Sequence, residues 1–385
     1  MHGRKKILAA VVVGFALITG GILFYMDKAV SDVAEMYCYL PGDACFTEKG
    51  GFIYEGSHVS FMSPESGKRV LICNKAGCSH ASADCSAYFE ESVCGISYSG
   101  DKLVYVTGGS SFDESCLYQS DMDGNNRKKI CTMEHVQMVL RVQYFGEYAL
   151  ICYQNNLDEN GNNLEEPEAG IVGYDFSKKS MFKVFSARNV SSLVSGCRLY
   201  DGMVYFFYTY CDLTRDDVLK HEKETNYVLE HTRSEIWNVP LEGGEAKKVV
   251  SGNIGAQCLP ILKGNLIYVK EDGAYAYNLK KGTEKRVWEG GCELIPVFKE
   301  KDKVLIRAYE SGQEGRKDYY QYAAGDRQAK RLRSSKMTLL AVMGEYAYYM
   351  DSEQKKGCCK KDDFLNGDVD EGKLFQDIYL EQLGE

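Results

Sequence analysis

Seven times between Ala44 and Met350 the sequence runs through the same unit: a short apolar stretch, a tight polar turn, then a strongly aromatic stretch. The units read ACFTEKGGFIYEG, GISYSGDKLVYV, VLRVQYFGEYALICY, GCRLYDGMVYFFY, CLPILKGNLIYV, LIPVFKEKDKVLIRAY and LLAVMGEYAYYM. Gly50-Gly51, Gly100-Asp101, Gly146, Asp201-Gly202, Gly264-Asn265, Lys301-Asp302 and Gly344 fall at the turns, where Gly, Asn and Asp suit the positive φ of a two-stranded hairpin. A more polar hairpin follows most units, as in HVSFMSPESGKRVLI, IVGYDFSKKSMFKVF and IWNVPLEGGEAKKVV. In Ile96–Cys131 both hairpins fit into about 35 residues, giving four antiparallel strands. A four-stranded unit returning every 40 to 60 residues or so is the signature of a β-propeller blade.

The expected fold is therefore all-β, a propeller of about seven blades, with the more apolar hairpin of each unit nearer the axis. The last unit loses the pattern after Met350, so six complete blades plus a composite one is the alternative. In that case Met36–Leu40 (MYCYL) would supply the missing outer strand and latch the ring, removing exposed sheet edges. Abundant Tyr (28) and Gly (38) with only 6 Pro suit strands and turns better than helices. Separate stacked sandwiches would not need a common repeat.

The N-terminus fixes the expected location. His2, Arg4, Lys5 and Lys6 precede Ile7–Met26, which carries no charged residue. Twenty helical residues span about 30 Å, the hydrocarbon thickness of a bilayer. Basic residues on the short side place that end in the cytoplasm. The domain reading is a cytoplasmic basic tail at 1–6 and a transmembrane signal anchor at 7–26. A spacer or closing strand follows at 27–43, then an extracytoplasmic propeller at 44–385. A cleaved signal peptide ending near Ala29-Val30-Ser31 is the rival. The net charge of -9 excludes nucleic acid as an expected partner, since phosphate backbones require clustered Lys and Arg.

Export changes the reading of the 15 cysteines, because exported thiols pair unless a metal holds them. Cys152, Cys197 and Cys258 sit singly in strand patterns and read as small buried hydrophobes. LICNKAGCSHASADCSAYF is different. It places Cys73, Cys78, His80 and Cys85 within 13 residues, three soft thiolates and an imidazole that match a tetrahedral structural zinc site. The spacing C-x4-C-x-H-x4-C lies outside the common zinc-finger patterns. The alternative is a disulfide-knotted loop with Cys94 as an extra partner. Four protein ligands leave a metal no open position, so neither reading implies catalysis.

That stretch, the repeated Gly-(x)-aromatic strands and the N-terminal anchor resemble a group of Gram-positive bacterial membrane-anchored β-propeller proteins. Those propellers are similar to the low-density-lipoprotein-receptor and TolB types. Cys73, Cys78, His80, Cys85, Ala87 and Tyr88 match the group's motif, with Ser86 where Asn and Ala76 where Pro is usual. The resemblance implies a fold and a cell-envelope location. The group has no established activity, so no catalytic residues come with it.

Two insertions stand out. Asn155–Ala169 is an acidic loop in which Asp158, Asn160 and Asn162 alternate as in a calcium loop. Asn163 and Ala169 stand where an EF-hand needs Gly and Glu, so a solvated tip is the better reading. Asp212–Arg233 holds His221 and His231 among many charges. No nucleophile elbow, phosphate loop or H-E-x-x-H occurs, and Ser120-Asp121-Met122-Asp123-Gly124 misses the sialidase-type turn.

The expected function is binding. A scaffold or sensor module at the envelope would present rim loops and an axial mouth lined by Tyr to a protein, peptide or glycan. The alternative is an envelope hydrolase with carboxylates converging at that mouth.

Overall fold

The structure, a computed structural model, describes residues 44–383 apart from 48, 100, 109–114, 146, 159, 222–223, 256–257, 296, 299–302, 310–315 and 368–371. Seven sheets follow one another along the chain, each with a body of antiparallel strands from consecutive stretches of sequence; Val297–Phe298 and Gln376–Asp377 add to two of them in parallel. They span 44–71, 93–133, 138–188, 193–250, 254–289, 292–335 and 338–374, and are numbered blades 1 to 7 in that order. Every paired hairpin read from the sequence is present. Asp201-Gly202 and Lys263-Gly264 each place two successive residues at positive φ, the geometry of a type I′ turn.

The turn expected at Gly50-Gly51 has another cause. Neither residue has positive φ there; instead a Cβ on Gly50 would sit 2.2 Å from the Phe61 ring, and one on Gly51 would sit 2.5 Å from Met62. These glycines make room for neighbouring side chains, and the positive-φ pair lies one turn later at Gly56-Ser57. The turns expected at Gly100, Gly146 and Lys301-Asp302 lie outside the described residues.

Second strands such as Lys102–Thr107, Met203–Cys211 and Asn265–Lys270 are buried almost end to end. They are covered by a neighbouring blade on each face, so their sequence is a continuous apolar run instead of an alternation. Outer strands such as Thr283–Glu289 meet solvent and carry the charges. Between blades lie seven successive apolar cores. Phe52 and Tyr105 share one, Val106 and Ile151 the next, and Leu150 and Phe206 the third. Phe207 and Tyr268, Ile267 and Ile306, and Leu305 and Leu339 continue the circuit. Phe46, Met62, Leu340 and Tyr348 close it by joining blade 1 to blade 7. The ring is complete, with seven blades.

The latch comes from the chain end. Lys373–Leu374 supplies the outer strand of blade 7, which therefore needs no strand from before Ala44. Gln376–Asp377 then adds in parallel to Lys68–Leu71 at the outer edge of blade 1. Behind it, Arg69 gathers the latch. Its guanidinium lies 2.7 Å from Glu55 Oε2, 3.7 Å from Asp377 Oδ1 and 4.0 Å from the centre of the Tyr379 ring. Gln382 Oε1 accepts a 2.8 Å bond from the Leu71 N–H.

Tyr379→Ala removes a ring 9% exposed and its cation–π contact, and is expected to cost about 2–4 kcal/mol in urea unfolding. An unchanged midpoint would show the latch to be ornamental. Burial pushes the Glu55 carboxyl up, but Arg69 outweighs this and holds it below its usual value. A lowered carboxyl stabilises the fold above its unfolded value, so this contribution is present at neutral pH and is lost as pH falls through the folded value.

Among the described residues no helix is long and apolar enough to cross a membrane. Ile7–Met26, the spacer at 27–43 and Met36–Leu40 lie outside those residues.

Candidate metal centre and axial channel

Between blades 1 and 2 the chain leaves Leu71 and returns alongside Ser57–Val59 of the first sheet, where Val59 N–H donates to Ala87 O and Phe89 N–H to Ser57 O, before entering Val93. This connection has no regular strand or helix, and its shape is set by turns. Gly77 at φ +69 and His80 at φ +55 reverse the backbone on either side of Cys78. A left-handed histidine is uncommon and mildly strained, and such strain gathers at functional sites. The result brings one atom each from Cys73, Cys78, His80 and Cys85 to within 4.8 Å of one another. A zinc ion with bonds of about 2.3 Å to sulfur has ligand–ligand edges of roughly 3.8 Å, so the cluster matches a tetrahedral donor set. His80 Nδ1 stands 3.3 Å from Cys85 Sγ, so Nδ1 is the ring nitrogen turned toward the cluster.

The electrostatics suit a metal. Burial and the neighbouring His58 hold the His80 imidazole below its usual range, so it presents a lone pair at neutral pH. Burial pushes the Cys85 thiol up to about 11. Burial also raises Cys73, but the Lys75 amide and the neighbouring Cys85, Cys78 and Ser86 outweigh it, leaving that thiol below its ordinary value. Cys73 is the thiol best prepared to ionise. The described cysteines, Cys94 included, carry free thiols.

Sequence reasoning found these four because they are close in the chain. It missed what holds them. Arg127, from the outer turn of blade 2, donates to the carbonyls of Tyr88 (2.6 Å), Ser86 (3.2 Å) and Ala83 (3.2 Å) and lies 4.3 Å over the Phe89 ring. Ser86 Oγ donates to Ile72 O at 2.7 Å, and Lys75 Nζ caps the Asp84 carbonyl. His58 Nε2 stands 2.7 Å from His80 O. The loop thus spans both blades, with Cys85, Ala87 and Phe89 in their shared core.

The two insertions also meet. Asn155–Ala169, read as a loop, is mostly a continuation of the second and third strands of blade 3, with only Asp158–Asn162 at its tip. Asp158 Oδ1 accepts from the Asn160 and Asn162 N–H groups, which closes the tip. Asp212–Arg233 forms two short helices, Arg215–Lys220 and Thr225–Glu230, packed through Val218 and Val228 on Val190 and Cys211. Arg215 reaches Glu165 across the gap at 3.8 Å.

At the axis, the described innermost strands bring one carboxylate, Glu293, and it is buried in an ion pair with Arg307. Tyr98, Tyr144 and Tyr200 do stand at the turn ends of these strands. Two arginines, Arg141 and Arg198, accompany them.

No protein-family model matches the chain, and no curated protein matches it. Among solved structures it is similar to the GH74 xyloglucanase from Xanthomonas campestris, at 8% identity and TM-score 0.50. That match covers 82% of this chain and 51% of the other, so the chain spans about half the length of the xyloglucanase. The β-propeller domain of the Trilobed protease from Pyrococcus furiosus matches at 10% identity and TM-score 0.47, covering 80% and 87% of the two chains. TolB from Acinetobacter baumannii matches at 13% identity and TM-score 0.40, covering 86% and 80%. The likeness is one of fold alone: a seven-bladed β-propeller, as the chain's own sheets define it.

Proposed function

We propose that the protein is a single-pass membrane protein of the cell envelope whose extracytoplasmic propeller is a binding or scaffold module. In this reading the propeller is stapled between its first two blades by a structural zinc ion. The observation that carries the staple is the convergence of Cys73, Cys78, His80 and Cys85. Zinc there supplies folding energy and no open coordination position, since the protein fills all four. The membrane reading is supported by the basic tail and the uncharged Ile7–Met26 segment. The binding reading is favoured over a hydrolase because the described residues of the innermost strands offer a single, ion-paired carboxylate. The partner is a protein, a peptide or a glycan.

Metal analysis of the protein purified without reducing agent is the test. One zinc per chain, with Cys73, Cys78 and Cys85 unreactive to thiol reagents until a chelator is added, is the expected result. Disulfides mapped to those three positions in metal-free protein would overturn the zinc reading. Protease added to intact cells should remove the propeller while leaving the 1–26 segment with the membrane; complete protection would place the propeller on the wrong side.

A further inference from the structure

The loop that carries Cys73, Cys78, His80 and Cys85 lies against a second loop, which belongs to blade 2. This is the outer turn Asp121–Arg127, which overlaps the stretch that misses a sialidase-type turn. It is stiff. The Asp121 N–H donates to Asn125 O at 2.9 Å, and Asn126 Nδ2 donates to Asp121 Oδ2 at 2.6 Å. Asp123 Oδ1 accepts from the Asn125 N–H at 3.0 Å, and Lys102 pairs with Asp121 from the second strand of the blade. Gly124 and Asn126 both stand at positive φ, conformations that Gly and Asn adopt readily.

Two residues of this turn reach the segments that carry Cys73 and Cys85. Gly124 is buried, and a Cβ there would stand 2.4 Å from Ile72 O and 3.1 Å from Ser86 Oγ. Ile72 precedes Cys73 and Ser86 follows Cys85, so the close approach is to both arms of the loop at once. The arms are themselves joined by the 2.7 Å bond from Ser86 Oγ to Ile72 O. Arg127 then brackets Cys85. Its Nη2 donates to Ala83 O on one side, and its Nη1 donates to Ser86 O and Tyr88 O on the other.

None of these anchors uses a donor atom of the cluster. Arg127 and Ser86 bind carbonyl oxygens, and Gly124 packs on a carbonyl and a hydroxyl. The loop's ties to blade 1, Val59 N–H to Ala87 O at 2.8 Å and Phe89 N–H to Ser57 O at 2.9 Å, are main-chain bonds. All of them persist when the cysteines carry protons in place of a metal. A donor set held in position beforehand binds its ion more tightly, because ordering the loop no longer opposes binding.

We infer that the Asp121–Arg127 turn is part of the metal centre, with Arg127 and Gly124 as positioning residues that set zinc affinity from blade 2. The inference rests on the zinc reading above and deepens it. The folded protein keeps Cys73 and Cys85 in place without the ion, and takes the ion up reversibly.

The test is zinc titration of the full-length protein, stripped of metal under reducing conditions, in competition with a chromophoric chelator. Arg127→Met should weaken zinc binding by about 10- to 100-fold. Arg127→Lys, which keeps the charge but not the planar fork, should weaken it less. Gly124→Ala should weaken it too, since the added methyl pushes the turn off Ile72. Cobalt in place of zinc should give a tetrahedral absorption spectrum in wild type and an altered one in Arg127→Met. Phe364→Leu, in the core between blades 6 and 7, lowers stability away from the loop and should leave affinity and spectrum unchanged. In wild type itself, hydrogen exchange at the Val59 and Phe89 N–H groups should stay slow after the metal is stripped. Equal zinc affinity and equal cobalt spectra in wild type and Arg127→Met, or loss of that protection on stripping wild type, would overturn the inference and leave the zinc site standing. A wild type that takes up no zinc would overturn both.

Discussion

Arg307→Met is expected to destabilise the propeller by about 3–5 kcal/mol, because it strands the buried Glu293 carboxylate without its countercharge. Arg307 is fully buried and Glu293 is 1% exposed, so water has no route to compensate. The pair joins the innermost and second strands of blade 6, where Glu293 stands opposite Arg307 in the ladder. Replacing both residues with apolar ones of similar volume should recover most of the loss, since the desolvation cost of two charges is of the same order as their attraction. A double-mutant cycle in urea reads this directly. If the two single losses simply add in the double variant, the pair is not coupled and the effect is one of packing.

Cys85→Ser is the second large effect. On the proposed zinc reading it removes a donor that is 1% exposed and, with it, the ion that would join the blade 1 edge to the blade 2 core. The expected cost is about 2–5 kcal/mol, the range for losing a native cross-link. The variant should purify without zinc, and chelator should lower the melting temperature of wild type but not of Cys85→Ser. The pH dependence has a definite sign. Burial pushes the Cys85 thiol up to about 11, so at neutral pH zinc has to displace its proton. Affinity therefore falls as pH falls, and acid should release zinc before the ring unfolds. Zinc retained after loss of Cys85 would remove this residue from the donor set.

The helical insertion offers a contrast in scale. His231 Nδ1 lies 2.7 Å from Asp212, and Tyr227 stacks on His221 at 4.0 Å, but both histidines are partly exposed. Pairs of this kind contribute little, because solvent screens them.

Much of this architecture was legible without coordinates because hairpins are local. Tyr98 pairs with Leu103 and Tyr200 with Met203, and the turn residues between each pair decide the geometry. The Cys73, Cys78, His80 and Cys85 cluster was legible for the same reason: its ligands lie within 13 residues and need only two backbone reversals to meet. Where local chemistry had two explanations, the reading went astray. Gly50 and Gly51 look like turn glycines, yet it is Phe61 and Met62 that exclude a side chain there.

What the sequence by itself determined, then, is the blade and its repetition, since alternation, turn chemistry and apolar runs act over a handful of residues. The tertiary structure alone decided three things: that the chain end latches blade 1 through Arg69, that Arg127 braces the metal loop, and that Arg141 crosses onto the bulge at Gly196. Their partners are separated by some 40 to 300 positions along the chain; packing of successive blades brings Arg127 and Arg141 to theirs, and ring closure brings the chain end to Arg69.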